Sequence, residues 1–248
     1  MAYETIIYEK KEGVGKITMN RPAQRNSLSI QLIREVQAVI NEIEKDEEAK
    51  VVVFTGNPEC FCAGADLKEK PPPTFLLEAN NLINMIEDLG KPTIAAISGW
   101  CLAGGLELAM ACDLRVASET ARIGDWHIRI GVIGGAGATT RLPRIVGVAK
   151  AKELIFTGEA LDGKEACRIG LVNQVFPVEK YLDGAIELAR KIAAFKPVTL
   201  RKAKESINMG LSMDVHQSLH FSDRCAAEVR AALGADAGRK AFAERKQT

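Results

Sequence analysis

Ser98-Gly99-Trp100-Cys101-Leu102-Ala103-Gly104-Gly105-Leu106-Glu107 carries three glycines into a run of small and apolar residues that continues through Ala111. The stretch Thr93 to Ser98 reads as a buried strand, Gly104 opens a helix through Ala111, and Leu114 to Ala117 reads as the next strand. Strand, glycine loop, helix, strand fits a parallel α/β stack better than a sandwich. Glycine lets backbone approach a ligand closely, and the first N–H groups of a helix have no partner inside it. Such an end attracts negative charge, so an oxygen that turns anionic during a reaction has a place here. Glu107 follows Gly104 by three residues, one helical turn. Its carboxylate and the Gly104 N–H can therefore face one substrate. The alternative makes Gly104-Gly105 a packing contact and puts Glu107 on a solvated face.

The pattern extends to both sides. Upstream, Tyr3 to Met19 reads as a hairpin turning at Glu12-Gly13, and Ser29 caps a helix whose apolar face is Leu32, Ile33, Val36, Val39, Ile40 and Ile43. Val51 to Phe54 is a short buried strand ended by Thr55-Gly56-Asn57-Pro58. Phe61-Cys62-Ala63-Gly64-Ala65-Asp66-Leu67 then exposes backbone donors among small residues, although a plain tight turn also explains it. Pro71-Pro72-Pro73 precedes a helix from Thr74 to Leu89. Downstream, Ile130 to Leu142 holds a third glycine-rich loop. Its spacing matches neither GxGxxG nor a Walker A loop, and it reads as a loop and helix start approaching an active-site floor. Beyond Val178 only helices are expected, over 179–195, 198–209 and 215–233, with a short one over 236–245. Lys196-Pro197 is the hinge, which gives a core of residues 1–195 and a C-terminal helical region of 196–248.

Bulk composition removes several function classes. The 33 Lys and Arg against 32 Asp and Glu leave a formal charge of +1, with no nucleic-acid signature. No window of about 18 apolar residues suggests a membrane span. The start Met1-Ala2-Tyr3-Glu4-Thr5 lacks the pattern of a signal peptide, and the expected location is cytoplasmic. The six cysteines read as reduced, mostly buried thiols, because Cys60-Phe61-Cys62 is too tight for a CxxC knuckle. His216 and His220 share a helix face without the carboxylate of an HExxH motif, so no metal site is expected.

Taken in order, these motifs resemble the enoyl-CoA hydratase/isomerase (crotonase) family over essentially the whole chain. Asn20-Arg21-Pro22 with Asn26-Ser27-Leu28 resembles its N-terminal coenzyme A loop. Phe61 to Leu67 is similar to its first oxyanion motif, and Lys91 to Ile97 with Gly104 to Ala109 to its second. Leu154 to Gly158, Gly170 to Asn173 and Phe242 to Lys246 resemble later signatures. The resemblance implies an α/β fold, a crotonase-like spiral of ββα turns with a C-terminal helical trimerisation region, assembled as trimers or hexamers. It implies an acyl-CoA substrate, with no cofactor beyond the coenzyme A that the substrate carries. The thioester oxygen would accept hydrogen bonds from the Ala65 and Gly104 N–H groups. Coenzyme A would run past Arg25, Ala63, Asp66, Leu67 and Lys68, with Phe242 and Arg245 reaching a neighbouring subunit's ligand.

One departure matters. Hydratases of this family typically carry two glutamates, one matching Glu107. By register from Gly131, His127 takes the place of the other, and Trp126 that of a preceding proline. Imidazole exchanges protons near neutrality, so Glu107 and His127 can remain an acid/base pair, with Asp125 as a substitute. The alternative leaves His127 as pocket filler. Trp126 adds a stacking face or fills core. Hydration of a 2-enoyl-CoA is the expected reaction. An isomerase, a dienoyl-CoA hydratase or an acyl-CoA hydrolase are alternatives within the family, and a non-catalytic coenzyme A- or RNA-binding scaffold is one outside it.

Overall fold

A computed structural model describes residues 3–236, 238–239 and 242–243. They form two compact units. One runs through Leu89 and from Thr93 to Ala193, and the other joins Gly90–Pro92 to the chain from Ala194 on.

In the first unit, β1 (Ile6–Lys11) and β2 (Val14–Met19) form the expected antiparallel hairpin. Glu12 and Gly13 turn it with positive φ. The chain then alternates between two sheets. β3 (Val51–Thr55), β5 (Thr93–Ile97) and β7 (Leu114–Ser118) pair in parallel in a six-stranded sheet ordered β1-β2-β3-β5-β7-β9, closed by β9 (Gln174–Phe176). β4 (Cys60–Cys62), β6 (Trp100–Leu102) and β8 (Arg122–Gly124) form a second, three-stranded sheet whose pairs are parallel. Each turn of chain therefore gives one strand to each sheet. α2 (Phe75–Asp88) follows β4, and α3 (Gly104–Ala111) follows β6. This is the ββα spiral that the resemblance implied.

The unbroken apolar run in β3 follows from burial on both faces. Val51 and Val53 join Ile94, Ala96 and Val116 under α7 (Tyr181–Ala193). Val52 and Phe54 face the larger core with Ala95, Ile97 and Ala117. That core also takes the whole apolar face of α1 (Ile30–Lys45). Ser29 caps α1 by accepting from the Leu32 N–H at 3.1 Å, a contact worth about 1 kcal/mol.

α4 (Ala138–Val146) follows the third glycine loop, where a helix start was expected, and α5 (Val148–Thr157) and α6 (Gly163–Arg168) lie where no helix was expected. Gly137, Gly147 and Gly158 punctuate them with positive φ. In the second unit, α8 (Pro197–Gly210) and α9 (Val215–Leu233) pack together, with Lys202 bridging Glu205 and Glu228. Among the described residues no helix is long and apolar enough to cross a membrane.

Candidate active site

The site begins where β4 ends. Leu28 makes an isolated parallel bridge with Ala65. Its N–H donates to the Gly64 carbonyl at 2.8 Å, and its carbonyl accepts from the Asp66 N–H at 3.0 Å. In a parallel bridge the intervening residue turns its own N–H away, so the Ala65 N–H points to the other side. Gly104 is the first residue of α3, so helix geometry leaves its N–H unpaired. A methyl on Gly104 would sit 3.7 Å from the Ala65 nitrogen, and one on Gly64 would sit 3.3 Å from the Gly104 nitrogen. The two donors are thus neighbours, and among the described residues neither has a protein acceptor. Ala103, which aims the Gly104 N–H, is held at φ +50 and ψ −118. An alanine there stores about 1–3 kcal/mol of backbone strain, as functional sites often do.

α3 is buried along its entire length, and Glu107 is only 2% exposed. The solvated-face alternative for Glu107 is therefore wrong. Its Oε1 accepts from the N–H groups of Ala136 at 2.8 Å and Ala138 at 2.9 Å. Ala138 opens α4, so the third glycine loop does bring a helix start to the site floor. Glu107 Oε2 is left to face His127 Nε2 at 3.9 Å. That gap is too long for a direct hydrogen bond, and one water oxygen can reach both atoms. Burial pushes the Glu107 carboxyl up and outweighs the two backbone donors and the nearby imidazole, which favour the anion.

His127 opens a short 3-10 turn, His127–Ile130, after β8. Its Nδ1 is hydrogen-bonded to Asp125 Oδ1, and Asp125 is 1% exposed. Burial works against the charged imidazole, yet the Asp125 hydrogen bond and charge, with the Glu107 charge, raise its pKa overall. The sequence reading set Asp125 as a substitute acid; the structure places it behind the imidazole instead. An Asp-x-His spacing was the available signal.

Arg25, Ala65, Asp66, Leu67 and Lys68 line a cavity of about 460 Å³ with Ala23, Gln24 and Ser27. Ala63 does not line it, and its N–H donates to the Arg25 carbonyl at 3.1 Å. The Asp66 carboxylate is occupied by Arg21, at 2.9 Å, and by the Lys68 N–H. Arg21 lies in the loop that resembles a coenzyme A loop, but its pairing with Asp66 was not legible, because 45 positions separate the two. Arg25 and Asn26 both adopt positive φ, and buried Asn26 pins the turn by donating to the Cys60 carbonyl at 2.8 Å. Trp126 is 36% exposed, so it is not core filler. Its ring centroid lies 6.1 Å from that of Trp100, and the Arg129 guanidinium sits 5.4 Å from it. Phe242 belongs to the second unit and is exposed. Arg245 lies outside the described residues.

Burial raises the Cys60 thiol to about 11 and the Cys62 thiol to about 12, so neither offers a thiolate nucleophile near neutrality. Among the described residues no three His, Cys, Asp or Glu side chains are grouped to hold a metal ion.

A family model described as enoyl-CoA hydratase/isomerase matches residues 9–248. A short-chain-enoyl-CoA hydratase of Clostridium acetobutylicum is 39% identical over 235 residues, covering 92% of this chain and 90% of that protein. The human mitochondrial methylglutaconyl-CoA hydratase is 37% identical over 249 residues, covering 96% and 74%. The crystal structure of an enoyl-CoA hydratase from Bacillus anthracis superposes with a TM-score of 0.94 at 39% identity, covering 98% of this chain and 97% of that one. With its mostly parallel six-stranded sheet and parallel three-stranded one, its neighbouring backbone donors and a match spanning nearly its whole length, this chain belongs to the enoyl-CoA hydratase/isomerase family.

Proposed function

We propose that this protein adds water across the double bond of a 2-enoyl-CoA to give a 3-hydroxyacyl-CoA. The observation that carries the reading is the facing of Glu107 Oε2 and His127 Nε2 at 3.9 Å, one helical turn from the Gly104 N–H. Glu107 is the base, because two backbone N–H donors occupy Oε1 and leave Oε2 to act, and a carboxyl pushed up by burial takes a proton more readily than an ordinary one. As Oε2 takes a proton from water, the water oxygen bonds to C3. The π electrons move through C2 to the thioester oxygen, and the enolate is held by the Ala65 and Gly104 N–H groups. His127 Nε2–H then gives its proton to C2, and the thioester carbonyl reforms. Proton return from Glu107 to His127 resets the pair. Arg25 and Lys68 bring positive charge to the cavity beside Ala65, which suits the phosphates of coenzyme A.

The test is loss of the conjugated enoyl-thioester absorbance with crotonyl-CoA and with a panel of branched and cyclic enoyl-CoAs. No loss with any of them would end the hydratase reading. His127→Ala is expected to lower kcat by about 10²–10⁴-fold with KM little changed. Unchanged turnover would take His127 out of the mechanism. The pH profile of kcat/KM should be bell-shaped. The base must be ionised, so activity rises as pH passes the Glu107 pKa, above the ordinary 4.5. The acid must be protonated, so activity falls as pH passes the His127 pKa, above the ordinary 6.5.

Assembly into trimers or paired trimers belongs to the same reading. The support for it is exposed apolar surface, with Ile207, Leu211, Val215 and Leu219 in the helical unit and Ile133 and Phe156 in the other. Sedimentation velocity at micromolar concentration reads it, and a monomer there would refute it.

A further inference from the structure

We propose that Asp125 is a positioning residue for His127, holding its Nδ1–H so that Nε2 faces Glu107 and the reacting carbon, and supplying the negative charge that keeps the imidazole protonated. The inference rests on the acid/base reading above and names what makes a histidine workable in it.

The geometry is specific. Asp125 and His127 lie on either side of Trp126, where the chain leaves β8 and enters its 3-10 turn. That turn swings both side chains to one side, and Asp125 Oδ1 meets His127 Nδ1. The carboxylate side chain is 2% exposed and the imidazole 13%. A carboxylate buried this deeply needs a partner, because the lost hydration of an unpaired one costs several kcal/mol. The ring at His127 Nδ1 is that partner.

The charged groups set against His127 are Asp125 from its own loop and Glu107 from α3. Arg129, on the same turn, donates from Nε to the Gly158 carbonyl at 2.7 Å and stacks on Trp126 instead. With a carboxylate accepting at Nδ1, a neutral His127 carries its one proton on Nδ1 and bares Nε2. A proton reaches Nε2 only as the imidazolium forms. Giving that proton to C2 leaves a neutral ring whose Nδ1–H still points at Asp125, so nothing turns during the transfer. Without the carboxylate, burial favours the neutral ring, and a neutral Nε2–H is a far weaker acid than an imidazolium.

Asp125→Asn tests the role. We expect kcat for an enoyl-CoA to fall by about 10²–10⁴-fold with KM little changed, by analogy with removal of the orienting carboxylate in a serine-protease triad. The falling limb of the pH profile should move to lower pH, since the groups that raise the His127 pKa are reduced to Glu107. An unmoved limb with undiminished kcat in a folded variant overturns the proposal. NMR titration of the imidazole in the unmodified protein needs neither a variant nor a substrate, with the His127 signals assigned by their loss in His127→Gln. A titration above 6.5, with the neutral form protonated on Nδ1, supports the proposal. A titration at or below 6.5, or a neutral form protonated on Nε2, overturns it. Because that readout is independent of turnover, a protein inactive on every enoyl-CoA would defeat the hydratase reading while leaving the Asp125–His127 result standing.

Discussion

Glu107→Gln is expected to lower kcat for enoyl-CoA hydration by about 10²–10⁴-fold while leaving the fold intact. The substitution separates the two oxygens of the side chain. The amide oxygen can still accept from the Ala136 and Ala138 N–H groups, which now hold Oε1 at 2.8 and 2.9 Å. The contact between α3 and the start of α4 therefore survives. The amide nitrogen takes the place of Oε2, and it cannot accept a proton from water. Stability should change by no more than about 1 kcal/mol, because the loss of charge-assisted hydrogen bonds is offset by relief from burying a charge. For a chain of this size that is a melting shift of roughly 2–4 °C. Turnover and a thermal melt on the same preparation check it. Normal turnover in this variant would remove the acid/base scheme, and a large melting shift would show that the backbone contacts need the anion.

Gly105→Ala should be damaging for a different reason. A Cβ on Gly105 would lie 2.1 Å from the Cys62 carbonyl oxygen and 2.9 Å from the Cys62 Cβ. Neither can give way easily, since Cys62 is backbone-paired to Cys101 in the second sheet and completely buried. α3 must move off β4, or β4 off its partner. Overpacking of this kind is expected to cost about 3 kcal/mol or more, a fall of roughly 6–12 °C in melting temperature. The damage is also functional, because Ala65 lies three residues after Cys62 and Gly104 directly precedes Gly105. Separating the helix from the strand separates the Ala65 and Gly104 N–H groups, and under the proposed mechanism losing one of these donors is expected to cost about 10²–10³ in rate. Gly170→Ala is the comparison: its φ is +79, but no atom lies within 4 Å of the added methyl. Left-handed strain alone costs about 1–2 kcal/mol there. If Gly105→Ala proved no worse than Gly170→Ala, the close approach of α3 to β4 would not be what selects glycine at 105.

Both variants turn on features of different legibility. Glu107 was visible as a carboxylate one turn past a glycine pair, but which of its oxygens is free was not. That follows from Ala136 and Ala138, which lie 29 and 31 residues away and contribute only backbone. Gly105 was visible as one of a pair, but no local pattern says that Cys62 is the atom group it must clear. The second sheet was missed for a related reason. β4, β6 and β8 are three residues each, too short for alternation to show, and each pairs with a strand more than 20 residues away.

By itself the sequence determined the elements whose signal is local and periodic. The apolar face of α1 and the hairpin turn at Glu12-Gly13 lie where the pattern put them, because 3.6-residue and two-residue periods are properties of the chain alone, and α3 starts where its glycine pair placed it. The resemblance to the family, by register from Gly131, gave His127 the expected place of a second glutamate beside Glu107. Tertiary structure alone decided that Glu107 is buried, that Asp125 backs His127, and that the Ala65 and Gly104 N–H groups are neighbours. Each of these depends on where a strand end, a helix start and a turn meet in space, and such meetings between distant segments leave no period in the sequence.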